Sequence, residues 1–436
     1  MSGPEGTFDR WLARIPDPFL FVLVLTLVTA GLALLQPGVT VGAVVDAWGN
    51  GLGGLLAFTT QIALTLLLAH ALAHTDAMTR LLGWVARLPQ SPAAAYAVVS
   101  LGASALSLLA WSLGLAGGAL LAQAMAREGA ARGWRLDYPL LVAAAYGGFV
   151  VWHMGYSGSA PLFMATGGQP LVDRYGLVPL GETILTPWNL AFALSLALMM
   201  AALASRLAPL EPQPFRPEAE PLQEASGARG ALSQGPWLTW IFALLLGCFL
   251  WRRAVLYGAG VDLNWVNWSF LALGLALARS PVHYAALITQ AGRTLGPVLL
   301  QYPFYAGIMG IMVSTGLAAA LASYCVALAS EETLGFWAFL SGGVLNFFIP
   351  SGGGQWVVQG PIFLEAAERL GTPAPEVIMG VAYGDQWSNL IQPFWTIPLL
   401  AIAGLPLQSV LRYSVIMFFF SGVFLGAALL GLGHFE

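Results

Sequence analysis

Apolar residues fall into long blocks along this chain, set apart by short polar stretches. The first blocks cover residues 19–35 and 52–73. A longer block, 92–126, is interrupted near Trp111-Ser112-Leu113-Gly114, and the block 138–167 is broken by polar and small residues at 153–159. Residues 187–207 follow, and then a Pro-, Glu- and Gln-rich stretch within 209–235, too polar for burial and read as a linker. Beyond it lie 236–251, 265–278 and 294–321, then 335–369, interrupted at Pro350-Ser351-Gly352-Gly353-Gly354. The block 376–404 is broken around 386–393, and 409–432 closes the chain. A helix needs roughly 20 apolar residues to cross a bilayer, so these blocks predict spanning helices, about eight to ten crossings in all.

Composition agrees. The 436 residues are 58% hydrophobic and 9% charged, with a mean hydropathy of +0.75. A water-facing surface needs nearer a quarter charged residues (roughly 25%), so most of this surface must face lipid and a soluble enzyme is excluded. The net charge of −4 adds little, and all 17 basic residues are Arg, a compositional bias. Cys248 and Cys325 lie far apart with no metal-type spacing. Residues 1–16 are polar and do not resemble a cleaved signal, so the first block is expected to stay as a helix. No G-x-x-x-x-G-K-[ST] loop is present, which argues against an ATP-driven pump, and nothing suggests a nucleic-acid partner or a cofactor. Trp237, Trp240, Trp251, Trp265 and Trp268 read as interface anchors, as do His70 and His74 near the end of the second block.

The two halves repeat. Ala145-Tyr146-Gly147 corresponds to Ala382-Tyr383-Gly384, and the same offset places Pro161-Leu162 on Pro398-Leu399 and Gly167 on Gly404. A slightly different offset matches Gln61 to Gln301, Thr75 to Thr315, and the interruption at 111–114 to that at 350–353. Matched Gly, Pro, Tyr and polar interruptions are hard to obtain by chance in so apolar a chain. The chain therefore reads as a first repeat (1–208), a polar cytoplasmic linker (209–235), an extra span (236–252) and a second repeat (253–436). Arg10, Arg14, Arg80, Arg87, Arg127, Arg132, Arg135 and Arg206 share one side only if 92–126 enters and leaves on that side, as a re-entrant hairpin or as two tightly joined spans. The extra span then flips the second repeat; Arg252 and Arg253 fall on the outer side and count against this arrangement. The expected fold is an all-α polytopic membrane protein with two inverted repeats, each with a re-entrant hairpin (92–126, 335–369) and a broken helix (138–167, 376–404), about nine spans plus two hairpins.

Irregular backbone in a bilayer leaves N–H and C=O groups unpaired, at several kcal/mol each unless protein or a water-filled cavity satisfies them. The four interruptions are therefore the candidate binding sites. Pro350 ends one hairpin arm, and the glycines that follow expose N–H groups at a helix start, where a carboxylate can bind without Lys or Arg. Ser351, Gly352, Gly353, Gly354 and Gln355 are the candidates there, against a plain packing turn. Ser112 and Gly114 are their weaker counterparts. In the first broken helix Tyr156, Ser157, Gly158 and Ser159 stand beside Pro161, against a Pro kink whose Ser residues bond back to the helix. His153 reads either as a proton carrier or substrate ligand or as a structural residue. In the second, Asp385 is the only carboxylate well inside a predicted span. It carries a proton or binds sodium, or else caps an unwound helix or pairs with Arg293. Asn346, Asn389 and Gln392 add amide groups beside it, and Phe347, Trp356 and Trp387 are candidates for contact with an acyl tail.

These motifs resemble the bacterial short-chain fatty acid transporter family. The residues that carry the likeness are Ile15-Pro16-Asp17-Pro18, His70-Ala71-Leu72-Ala73, Asp137-Tyr138-Pro139-Leu140-Leu141, Ser157-Gly158-Ser159-Ala160-Pro161-Leu162, Gln301-Tyr302-Pro303-Phe304-Tyr305-Ala306-Gly307, the stretch 350–361, and Ala382-Tyr383-Gly384-Asp385-Gln386-Trp387. The resemblance implies uptake of short-chain monocarboxylates such as butyrate or acetoacetate. It also implies membership of a larger group of ion-coupled carboxylate transporters, commonly dimers with an elevator movement. Met154 stands where the family would have a glycine, and the central linker is short. The expected function is a secondary transporter in the bacterial inner membrane, driven by Na+ or H+. Its rivals are an uncoupled carboxylate channel and an intramembrane enzyme, for which His153 and Asp385 would be the only acid–base pair, in opposite halves of the chain.

Overall fold

A computed structural model describes residues 18–166, 170–215, 235–256, 262–292 and 295–435. The expectations placed on Arg10, Arg14, Gly167, Arg293 and most of the linker fall outside these described residues. Within them the chain is helical, with no strand. The first half consists of α1 (Pro18–Leu34), α2 (Val41–Gly51), α3 (Leu56–Ala73), α4 (Asp76–Ala86), α5 (Pro92–Leu109), α6 (Trp111–Ala131), α7 (Tyr138–Phe149), α8 (Ser159–Met164), α9 (Pro170–Tyr175) and α10 (Pro187–Arg206). After the linker comes α11 (Trp237–Trp251). The second half holds α12 (Leu263–Leu277), α13 (Pro281–Gly292), α14 (Gly296–Ser314), α15 (Leu317–Ala327), α16 (Leu334–Asn346), α17 (Gly352–Leu370), α18 (Ala374–Ser388), α19 (Pro393–Ala403) and α20 (Leu407–Phe435).

Seven helical stretches among the described residues are long and apolar enough to cross a membrane, from Val41–Ala73 to Leu407–His434. This differs from the nine spans expected because breaks and short helices divide the apolar blocks, as at Leu263–Leu277 and Pro393–Ala403. Four helices of 11 or 12 residues, α2, α4, α13 and α15, were not expected, being shorter than a span. α15 splits off the block 294–321, where Gly316 at φ +75° turns the chain after Thr315. Thr75, the residue matched to Thr315, caps α4 through its hydroxyl. Element order thus recurs in the two halves: a pair of helices, a longer helix, a short one, a two-armed hairpin, a broken helix and a final helix.

Caps set the elements. Ser91, Asp137 and Thr186 each accept a first-turn N–H, and each is followed within two residues by a Pro, which needs no acceptor there. Between α5 and α6 the chain turns at Ala110 alone, φ −157°, so 111–114 is the first turn of the returning arm and not the interruption itself. The arms run antiparallel, since Gly102 faces Leu121, Gly118 faces Ala103 and Gly114 lies against Ser107. In the second hairpin the Gln355 amide donates to the Gly342 carbonyl at 2.8 Å and that of Gln359 to Ser341 Oγ at 2.7 Å. Its 13-residue arm α16 reaches about 20 Å, short of the roughly 30 Å of hydrocarbon.

Each hairpin packs against the broken helix of its own half through glycines. A Cβ on Gly148 would overlap the Ser100 carbonyl oxygen, and one on Gly384 would overlap that of Phe339. Gly384→Ala is expected to destabilise the protein by about 1–3 kcal/mol, the usual cost of forcing atoms into a filled interior. Gly31→Ala, with nothing within 4 Å, should not. Thermal unfolding in detergent measures both, and an unchanged midpoint for Gly384→Ala would contradict the packing described.

Candidate functional site

The floor of the site is a buried pair from opposite halves. After α7 the helix unwinds at 150–158, with a single 3-10 turn, Trp152–Met154, that carries His153. His153 Nε2 lies 3.5 Å from Asp385 Oδ2, and the two side chains are 1% and 2% exposed. The pair therefore exists despite the separation in sequence that weighed against it. The His153 backbone N–H donates to Gln386 Oε1 at 3.0 Å. The Ser159 N–H donates to His153 Nδ1 at 3.1 Å, so a neutral ring carries its proton on Nε2, facing Asp385. Neither His153 Nε2 nor Asp385 Oδ2 has a hydrogen-bond partner among the described residues. Burying such atoms unpaired costs free energy, which a ligand or ion at this point would offset.

Beside this pair lies a cluster of amides. α18 stays helical through Ser388, so Asp385, Gln386 and Trp387 belong to the helix and the break is the turn Asn389–Ile391 with Gln392. The Asn346 amide group, at the end of α16, is within hydrogen-bond distance of the Asp385 carbonyl (3.0 Å), Ser388 Oγ (2.8 Å) and Asn389 Oδ1 (2.6 Å). Asn389 Nδ2 reaches Asp385 Oδ1 at 3.4 Å, and Gln392 Nε2 donates to the Asn346 carbonyl at 2.6 Å. The oxygens Asn346 Oδ1 and Gln392 Oε1 are buried without a donor. Asp385, Asn389, Gln392 and Asn346 thus lie together in one cluster. Among the described residues no group of three or more His, Cys, Asp or Glu could hold a metal ion.

Both hairpin tips meet the first broken helix above this floor. Ser157 Oγ accepts the Trp111 N–H at 2.9 Å, and the Tyr156 N–H donates to the Leu108 carbonyl at 2.8 Å, fixing the first tip. At the second, a Cβ on Gly352 would stand 2.8 Å from both His153 Cε1 and Ser159 Oγ. Ser351 caps α17 by accepting the Gly354 N–H at 3.3 Å, and first-turn N–H groups have no acceptor within their own helix. Ser157, Ser159 and Ser351–Gly354 are partly exposed and Tyr156 is exposed, while the floor is buried. A Cβ on Gly353 would meet nothing within 4 Å, so there is open space beside the tip.

Other candidates are placed elsewhere. Trp387 is turned to the opposite side of α18, stacked on Phe418 at 4.3 Å with its Nε1–H on the Phe418 carbonyl. One residue beyond Gln386 is a rotation of about 100° on a helix, which removes Trp387 from the site. Gly114 serves the packing of α6 on α5, and Gly158 lies in the turn against the His153 carbonyl and Pro161. Ser112 lines a crevice of about 10 Å³ with Thr65 and Pro398, room for one water at most. Gln355 braces the two arms of its hairpin, and Trp356 is fully buried behind the tip.

The sequence reading missed the residues that lock the halves together. Tyr146 donates to the Asn389 carbonyl, and Tyr383, in the other Ala-Tyr-Gly segment, donates to Asn189 Oδ1 at 2.6 Å. Asn189 in turn donates to the carbonyls of Met154 (3.0 Å) and Ile184 (2.7 Å). The matched Ala-Tyr-Gly segments carried that signal. Trp152, 3.5 Å from His153 between ring centres, and Trp395 form an aromatic wall with Phe149 and Trp111. Two further carboxylates are buried, Asp137 and Glu376, both at the starts of the broken helices.

The sequence profile of the short-chain fatty acid transporter family matches residues 7–432. The chain belongs to that family. It is 35% identical over 425 residues to an Escherichia coli (strain K12) protein provisionally named a short-chain fatty acid transporter, covering 95% of each chain. A Haemophilus influenzae protein with the same provisional name is 31% identical over 428 residues, covering 93% of this chain and 94% of that one. Among solved structures, the YdaH transporter of Alcanivorax borkumensis is 14% identical with a TM-score of 0.47, covering 94% of this chain and 98% of that one. Neisseria gonorrhoeae MtrF is 15% identical with a TM-score of 0.40, covering 97% of each. With its apolar helices, this member of the short-chain fatty acid transporter family is a multi-pass membrane protein. Gly353→Leu should fill the space beside the tip and reduce uptake at least tenfold without changing expression or thermal stability. Uptake within twofold of the parent protein would remove the tip from the site.

Proposed function

We propose that this chain is a secondary active transporter of short-chain monocarboxylates of the butyrate or acetoacetate type. The observation that carries this reading is the His153–Asp385 pair, buried beneath a half-exposed rim of hydroxyl and helix-start N–H groups. The rim fits a carboxylate: Ser157, Ser159 and Ser351 offer hydroxyl protons, and the first turn of α17 offers N–H groups and a partial positive charge. Among the described residues no Arg is ion-paired with these groups, which suits a weakly held anion that must be released. Phe347 and Phe348, both partly exposed just before the second tip, are the aromatic residues that would face the acyl tail.

Coupling is read at the floor. An anion crossing lipid alone carries an uncompensated charge; an anion moving with one cation does not. His153 and Asp385 together can take up that cation as a proton, with Nε2 and Oδ2 facing each other. A second reading rests on the donor-free oxygens Asn346 Oδ1, Asp385 Oδ2 and Gln392 Oε1, hard ligands suited to Na+. The resemblance supports the remaining features: inverted repeats, an elevator-type movement, a homodimer and a bacterial inner-membrane location.

Uptake of labelled short-chain acids into proteoliposomes, with pH and Na+ gradients imposed separately and protein-free vesicles subtracted, tests this. A proton-coupled carrier accumulates substrate on a pH gradient alone, and a sodium-coupled one on a Na+ gradient alone. Flux insensitive to both would establish the uncoupled channel instead. Asp385→Asn is expected to abolish accumulation against a gradient; if accumulation persists, Asp385 is structural. His153→Gln should abolish pH-driven uptake but spare Na+-driven uptake.

A further inference from the structure

A second, basic site lies away from the four breaks. A cavity of about 500 Å³ opens where α3 ends, between α4 and the stretch 120–128 of α6. That stretch begins eight residues beyond Ser112, about 12 Å along the helix, and extends away from it. Arg80, Arg87, Arg127 and Glu128 line the cavity with Thr79 and Gln123, three cations against one anion. Glu128 is already engaged, 2.8 Å from Arg132 and 3.6 Å from Arg87. Arg127 lies over the Phe215 ring at 5.5 Å, and among the described residues neither it nor Arg80 forms an ion pair. Asp76, which begins α4, is taken by Arg279 through two bonds of 2.7 and 3.0 Å, and this holds its carboxyl below the usual carboxylate range. The cavity therefore keeps an excess of positive charge.

The outer face of α4 is apolar. Leu81 and Trp84 are 53% and 61% exposed and share one side of the helix by their spacing of three, and Leu88, 52% exposed, follows just beyond its end. Arg80 and Arg87, seven apart, face the cavity. The helix follows a span that ends at Ala73, so it sits where lipid meets water, with Trp84 as an interfacial residue.

We propose that this cavity binds the phosphate of an anionic glycerophospholipid, with Arg80 and Arg127 on the phosphate and the acyl chains over Leu81, Trp84 and Leu88. Charge complementarity favours an anion, and the adjoining apolar stripe favours one that carries hydrocarbon. The inference requires only that the chain lies in a membrane; it stands whether or not the substrate reading above holds.

Delipidated protein in neutral detergent, titrated with phosphatidylglycerol, phosphatidylcholine, glycerol phosphate and inorganic phosphate while bound lipid is counted by native mass spectrometry, gives the test. Phosphatidylglycerol should bind at least tenfold more tightly than phosphatidylcholine. Arg80→Gln with Arg127→Gln should weaken it roughly thirtyfold, two basic side chains at about fivefold each. Trp84→Ala should weaken the lipid but not glycerol phosphate. On the unmodified protein, the preference should fall as salt rises, since the contact is between charges at a wet boundary. Equal binding of the two lipids, or a preference unaffected by salt, overturns the proposal without recourse to a variant. Inorganic phosphate or glycerol phosphate binding as tightly as phosphatidylglycerol overturns the lipid as occupant and leaves a soluble-anion site.

Discussion

Backbone groups in lipid must be paired within the protein, and that constraint shapes this structure. A helix that unwinds midway releases N–H and C=O groups that only another break, or a polar side chain sent for the purpose, can satisfy. Here the breaks satisfy one another. The Tyr156 N–H takes the Leu108 carbonyl at the first hairpin tip, and Ser157 takes the Trp111 N–H. Gln392 takes the Asn346 carbonyl, and Gln386 takes the His153 N–H across the halves. The site is where it is because four interruptions cannot be placed apart at tolerable cost.

Close approach is the second requirement, and glycine meets it. Gly148 and Gly384 let each hairpin lie against the backbone of its broken helix, and Gly352 lets the second tip touch His153 and Ser159. Gly353 differs, because its missing side chain leaves room and touches nothing. Glycines in one short motif therefore have separate physical reasons. Packing explains Gly352, and Gly353 keeps space open beside the tip.

Interruptions were legible in the sequence because Asp385, His153, Asn346 and Pro350-Ser351-Gly352-Gly353-Gly354 stand out against Leu, Ala and Val. Their convergence followed from the cost of unpaired backbone. What the sequence did not reveal is rotation and partnership. Trp387 sits one residue from Gln386 yet faces Phe418, because register on a helix is invisible in a list of polar residues. Asn189 reads as an ordinary residue near the start of a span, and only its bonds to Tyr383 and Met154 show it fastening the halves. The short helices α2, α4, α13 and α15 escaped notice because a search for spans passes over anything of 11 or 12 residues.

The locks between halves have a consequence for movement. The first half supplies His153, Ser157 and Ser159; the second supplies Asp385, the amides, Ser351 and the glycine tip. Separating the halves would stretch the 3.5 Å contact of His153 with Asp385 and break the bond from the His153 N–H to Gln386. It would also release Tyr146 from Asn389 and Tyr383 from Asn189. Such a separation leaves a carboxylate without its neighbour in a poorly hydrated interior, at a cost of several kcal/mol unless a cation accompanies it. On the proposed reading, a coupling ion at Asp385 would offset that cost and so ease any such parting of the halves.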